Sequence, residues 1–121
     1  ESPLIEQVMV LGENRKFPAA LVVPTFAALK AWCEHKDIPY TTNQEMINHP
    51  LVIDKFNRVV ADLGKDFGKW EQVKRFALLA TEFSIDGGEL TPKLSLKRKV
   101  ILEKNKDIIE KIYKDAESFS S

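Results

Sequence analysis

The sequence predicts an α+β fold: a small sheet of about three strands, formed by an N-terminal hairpin and a later strand, covered by helices and followed by a long C-terminal helix. Three observations predict it. Two β-branched apolar runs, "VMVLG" and "PAALVVP", flank the polar turn "GENRKF", which is the pattern of a hairpin. A third apolar run, "VKRFALLATEFS", arrives only after two stretches of helical periodicity and is apolar on both parities, as a strand buried on both faces would be. The last stretch, "KVILEKNKDIIEKIYKDAES", spaces its apolar residues as a helix does.

Each element has a local reason. "ESPLIEQ" pairs a Ser N-cap with Pro3 at the first helical position and Glu6 close to a capping position, which predicts a single helical turn. In the hairpin turn, Gly12 and Asn14 are available for positive φ, and Pro18 and Pro24 fence the second strand. Thr25 reads as the N-cap of a helix carrying Phe26, Leu29, Ala31, Trp32 and Cys33 on its apolar face. Thr42 with Glu45 three residues on is a capping box for a short helix. Pro50 then opens a helix with Leu51, Val52, Phe56, Val59, Val60 and Leu63 on one face, and Gly64 marks its expected end. In the last helix, Val100, Ile101, Lys104, Ile108, Ile112 and Ala116 share a register.

With 121 residues the chain fits a single domain spanning 1–121. It starts without an initiator Met and enters a strand almost at once, which predicts a fragment of something larger. Lys and Arg total 18 and so do Asp and Glu, so no whole-domain field draws the chain to nucleic acid or to an acidic membrane. No apolar run approaches the roughly 20 residues of a transmembrane segment, and no signal peptide is visible. The lone cysteine, Cys33, excludes an internal disulfide and fits a reducing compartment, so the expected location is cytoplasmic.

Most chemistry-bearing residues have a bland reading. His35 and His49 lie on different elements without ligand spacing, so no metal site is expected. Cys33 and Trp32 fall on an apolar helix face and read as core, while Trp70 reads as a lid over the core edge. Gly12 opens a turn between strands and not a phosphate loop leading into a helix, and Arg15 and Lys16 read as its solvated tip. No Ser/His/Asp or Cys/His set is indicated.

One stretch resists the bland reading. In "GGELTPKLSLKRK", Gly87 and Gly88 permit backbone geometries closed to other residues and Pro92 stiffens the middle. Lys93, Lys97, Arg98 and Lys99 then gather where the last helix begins. Cations are disfavoured at a helix N-terminus, where the macrodipole already places positive charge. By local physics the cluster is either a solvated loop or one that holds an anion.

The residues Leu90, Thr91, Pro92, Lys93, Leu94, Ser95, Leu96, Lys97 and Arg98 resemble the L-T-P-T-x-K-x-K-R loop of the C-terminal domain of adenylate-forming enzymes, specifically the long-chain fatty acid–CoA ligases. "GENRKFPAALVVP" is similar to the hairpin of that family, and the resemblance spans essentially the whole chain. It implies the mobile C-terminal domain of an AMP-forming acid–thiol ligase. It further implies that Lys97 contacts the substrate carboxylate and the phosphate during adenylation, with Lys93 as runner-up and Lys99 third. Gly87, Gly88, Thr91 and Pro92 would position the loop.

The sequence departs from the family pattern in two places: Lys93 stands where the branch has Thr, and Ser95 where it often has Lys. The resemblance implies ATP, CoA and Mg2+ in the full-length enzyme and none bound tightly by this chain, with the cofactor-binding residues unknown. The implied partners are the N-terminal adenylate-forming domain of the same polypeptide and fatty acid, ATP and CoA as substrates, with no nucleic acid. A peripheral membrane association of the full-length enzyme is left open, and the isolated chain would be inactive. The competing reading is a stand-alone interaction domain that binds an acidic partner or nucleic acid through the basic loop of residues 93–99.

Overall fold

The computed structural model describes residues 3–66, 73 and 75–120, with the side chains of 64–66 and 115–120 left aside. Trp70 and the Ser2 of the expected N-terminal cap lie outside the described residues. The chain divides into two compact units, Glu1–Glu82 and Phe83–Ser121.

The first unit contains a three-stranded sheet in the order β1-β2-β3, where β1 is Ile5–Leu11, β2 is Ala19–Pro24 and β3 is Arg75–Leu78. β1 and β2 form the expected antiparallel hairpin, with Asn14 taking the positive φ of 59° in its turn. β3 pairs parallel to β2, which requires a crossover, and the helices α1 (Phe26–His35), α2 (Asn43–Asn48) and α3 (Pro50–Asp66) supply it. As the central strand, β2 is buried along its full length. Ala20 and Val22 point to one face, where Leu29 and Cys33 of α1, Met46 of α2, and Val52, Phe56, Val60 and Leu63 of α3 complete a core. The same face takes Val8 of β1 and Phe76 and Leu78 of β3, as their pairing with β2 requires.

The N-terminus departs from expectation. Residues 3 and 4 form a turn and Ile5 is already in β1, so no helical turn forms. Thr25 N–H donates to Leu4 O at 2.8 Å, Ile5 pairs with Pro24, and Leu4 is buried; these long-range gains outweigh the local capping signal. The register slips between Ile5 and Gln7, leaving Glu6 as the extra residue of a bulge. Strict alternation from Val8 would point Ile5 away from the core, and the bulge restores it to the face where it packs.

Two helical faces are narrower than expected. Ala31 and Leu51 are exposed, because the buried stripes run through Leu29 and Cys33 in α1 and through Val52, Phe56 and Val60 in α3. Trp32 packs against the core while Lys55 Nζ lies 5.9 Å from its ring centroid. Thr25 precedes α1 without a side-chain cap, whereas Thr42 Oγ1 accepts from Glu45 N–H at 3.1 Å. The capping box is only half made, since the Glu45 carboxylate takes the hydroxyl of Thr41. α3 runs two residues past Gly64.

In the second unit a long irregular segment leads to α4 (Arg98–Lys104) and α5 (Lys106–Ser120). The C-terminal helical stretch is therefore interrupted at Asn105. Its Nδ2 donates to Ile101 O at 2.9 Å while its own carbonyl accepts from Ile109 N–H at 2.9 Å, so one residue ends α4 and starts α5. The interruption rephases the apolar face: Ile109, Ile112 and Tyr113 are buried, and Ile108 is exposed.

Candidate functional site

The basic stretch folds into two linked turns that end on α4. The first is built around Ser84. Its carbonyl accepts from both Glu89 N–H and Leu90 N–H at 3.1 Å, its hydroxyl accepts from Gly87 N–H at 2.9 Å, and its N–H donates to Glu89 Oε1 at 3.1 Å. Gly88 N–H closes the turn onto Ile85 O at 3.0 Å with φ at +84°, a conformation that favours glycine. Gly87 is required for a different reason: a Cβ there would run into the Glu89 carboxylate and sit 2.9 Å from Ser84 Oγ.

The second turn is a miniature hairpin. Leu90 bridges Leu96 antiparallel, Thr91 N–H donates to Ser95 O at 2.9 Å, and Lys97 N–H donates to Glu89 O at 2.7 Å. Thr91 O accepts from Leu94 N–H at 2.8 Å, with Pro92 at the second turn position, where its fixed φ suits it. Thr91 Oγ1 also accepts from Ser95 N–H at 3.1 Å. Leu94 completes the three-residue tip at φ +66°, the place where such hairpins usually carry glycine. Its side chain is 66% exposed. A leucine in the left-handed region costs about 1–2 kcal/mol, so the tip carries both strain and exposed apolar surface.

The predicted site residues fall at distinct places on this frame. Lys93 is exposed at the hairpin tip. Lys97 is exposed at the foot, directly opposite Glu89, and is the N-cap residue of α4 with φ −91° and ψ 82°. Arg98 and Lys99 are the first two residues of α4, and no acidic side chain stands in that first turn. Lys97 is therefore fixed by backbone on both sides, its N–H on Glu89 O and its carbonyl accepting from Ile101 N–H at 3.1 Å. The structure thus separates the two leading lysines, one on the tip and one on the rigid root. The arrangement presents an exposed lysine on a backbone-fixed residue at a helix start.

Two participants were missed by sequence reasoning: Glu89 and Lys104. Lys104 Nζ donates to Gly87 O and lies 3.7 Å from Glu89 Oε2. Its place two turns beyond Lys97 on a helix that starts at the loop was the available signal. Cys33 is buried, and burial, with the Glu34 carboxylate, pushes its thiol pKa up. His49 Nδ1 accepts from Leu51 N–H at 3.1 Å at the start of α3. Among the described residues no group of three His, Cys, Asp or Glu side chains could hold a metal ion, and no helix is long and apolar enough to cross a membrane.

The profile of the AMP-binding enzyme C-terminal domain matches residues 1–117. The chain belongs to that family. Among curated relatives of this AMP-binding C-terminal domain, a long-chain-fatty-acid–CoA ligase of Mycobacterium tuberculosis is 30% identical over 112 residues, covering 92% of this chain and 19% of the relative. One from Mus musculus is 28% identical over 135 residues, covering 95% of this chain and 18% of the relative. The chain thus spans about a fifth of the length of the relatives it matches.

Among solved structures, the adenylation domain of a carboxylate reductase from Mycobacterium chelonae superposes with a TM-score of 0.62 at 27% identity, covering 93% of this chain and 16% of that one. A carboxylic acid reductase didomain from Segniliparus rugosus, solved in complex with AMP, shares the fold with a TM-score of 0.67 at 21% identity, over 94% of this chain and 14% of that one.

Proposed function

We propose that residues 1–121 serve as one mobile C-terminal domain of an AMP-forming long-chain fatty acid–CoA ligase, with Lys97 as its catalytic residue. The observation that carries this reading is the backbone-fixed cation at the start of α4, on a chain whose family is the AMP-binding enzyme C-terminal domain.

In the adenylation step a fatty carboxylate oxygen bonds to the α-phosphorus of ATP, the bond to the bridging oxygen breaks, and pyrophosphate leaves with that electron pair. Two anions must meet for this to happen. The Lys97 ammonium, delivered into the active site of the large N-terminal domain, offsets their repulsion and the charge that grows on the α-phosphate. Mg2+ arriving with ATP would supply further charge neutralisation, and no residue of this chain is assigned to it. Rotation of the domain after adenylation then withdraws Lys97 and lets CoA reach the acyl-adenylate; because the nucleotide and acyl sites belong to the large N-terminal domain, the isolated chain is inactive. The ligase works in the cytoplasm. Lys93, on the strained tip, is the second candidate, and Gly87, Gly88, Thr91 and Pro92 keep the loop in shape.

The test is ATP–pyrophosphate exchange in the full-length protein. Lys97→Ala is expected to reduce exchange by about 10²–10³-fold, the scale for losing one preorganised electrostatic contact, whereas Lys93→Ala retains most of it. The reverse pattern would transfer the role to Lys93. Normal exchange in both variants would remove the catalytic role from both lysines.

A further inference from the structure

Glu89 holds both ends of α4. Its backbone carbonyl accepts from Lys97 N–H at 2.7 Å, which fixes the N-cap residue. Its carboxylate lies 3.7 Å from Lys104 Nζ through Oε2, which fixes the last residue of the same helix. Oε1 is occupied separately, accepting from Ser84 N–H at 3.1 Å. Lys104 completes the brace by donating to Gly87 O. Only 13% of the Glu89 side chain is exposed, so its charge is substantially desolvated, and Lys104 is the cation that meets it.

The brace explains two features that local rules do not. Gly87 carries no Cβ because one would occupy the space of the Glu89 carboxylate. A helix of only seven residues, α4, retains a fixed direction because the loop grips it at both termini.

Resting on the reading of Lys97 as the adenylation lysine, we infer that Glu89 and Lys104 are positioning residues for that step. They touch neither substrate nor reacting atoms. They set the origin and direction of the Lys97 side chain by locking α4 onto the turn at Ser84–Glu89. Loss of the pair leaves Lys97 present but poorly aimed, and misplacement on the scale of an ångström is enough to cost a large factor in rate. Removing Lys104 alone would leave the Glu89 carboxylate, only 13% exposed, without this cation, so Lys104→Met is read beside the Lys104→Met/Glu89→Gln double variant, which removes both charges.

The experiment uses the full-length ligase and separates its two half-reactions. Lys104→Met is expected to lower the kcat of ATP–pyrophosphate exchange by about 10-fold with the KM for ATP and fatty acid unchanged. The reaction of supplied acyl-adenylate with CoA should proceed at the normal rate. Lys104→Arg, which keeps a cation within reach of both acceptors, should restore exchange to within about twofold. Glu89→Gln should lower exchange on its own and add little when combined with Lys104→Met, because the two act as one unit.

Equal losses in both half-reactions, or a KM effect alone, would overturn the inference in favour of a general structural role. Full exchange activity in Lys104→Met would overturn it outright. A Lys97→Ala control keeps the two claims apart: if that variant exchanges normally the Lys97 reading fails, whereas if it is impaired and Lys104→Met is not, only the brace fails.

Discussion

In β2 the residues from Ala19 to Val23 are wholly shielded from water, whereas across residues 84–97 only Leu90 is buried. The sheet unit is held by what it hides: Phe56, Val52, Leu29 and Met46 close over it, all within 1% of complete burial. The loop is held by directed bonds, with Ser84 and Glu89 anchoring the first turn and Thr91 and Ser95 the second. Apolar packing tolerates volume-conserving change, while a hydrogen-bonded frame fixes direction and leaves its side chains free to point outward. Under the proposed role, which places one cation in another domain's active site, both kinds of construction are useful.

Substitutions in each region should break different observables. The largest stability effect is expected from Phe56→Ala, which would cost about 3–5 kcal/mol and strip hydrogen-exchange protection from the β2 amides. Gly87→Ala should cost about 1–3 kcal/mol through crowding of the Glu89 carboxylate, confined to amides of residues 84–97, and should reduce adenylation with it.

Leu94→Gly is the sharpest test of the strained tip. Relief of about 1–2 kcal/mol of left-handed strain exceeds the added glycine entropy, so the hairpin should gain about 0.5–1 kcal/mol of local protection. A loss of protection would mean that the leucine side chain contributes packing that outweighs its strain.

The smallest effect concerns Cys33. Its folded thiol pKa is raised, so the stability linked to it is present below the unfolded value, near 8.5, and is lost as pH rises toward the folded value. Protection of the sheet amides should therefore decline above about pH 8.5 and do so less in Cys33→Ala. The thiol should also resist iodoacetamide until the unit opens.

The same division governs what could be read in the chain. The hairpin, α1 and α3 were legible because burial leaves a periodic trace, and the loop stood out because its charges contradict the helix dipole. The strand at Ile5 was not legible: its pairing with Pro24 and the bulge at Glu6 depend on partners far along the chain. The interruption at Asn105 was hidden inside a pattern that fits an unbroken helix, because one side-chain amide decides it. Leu94 obeys no local preference for its conformation, unlike Asn14 and Asp37, the two other described non-glycine residues at positive φ. Lys104 fell in the register of the last helix and Glu89 carried no signal of its own, and only the fold brings the two together.

The central claim is that Lys97 acts in adenylation and not in holding the fold. Single-turnover formation of acyl-adenylate by the full-length Lys97→Ala protein tests it most directly, alongside the rate at which the same sample converts supplied acyl-adenylate to thioester. Adenylate formation slowed by about 10²–10³-fold with thioester formation within about twofold of normal is the predicted result. Adenylate formation at the normal rate, or equal slowing of both steps, would contradict it.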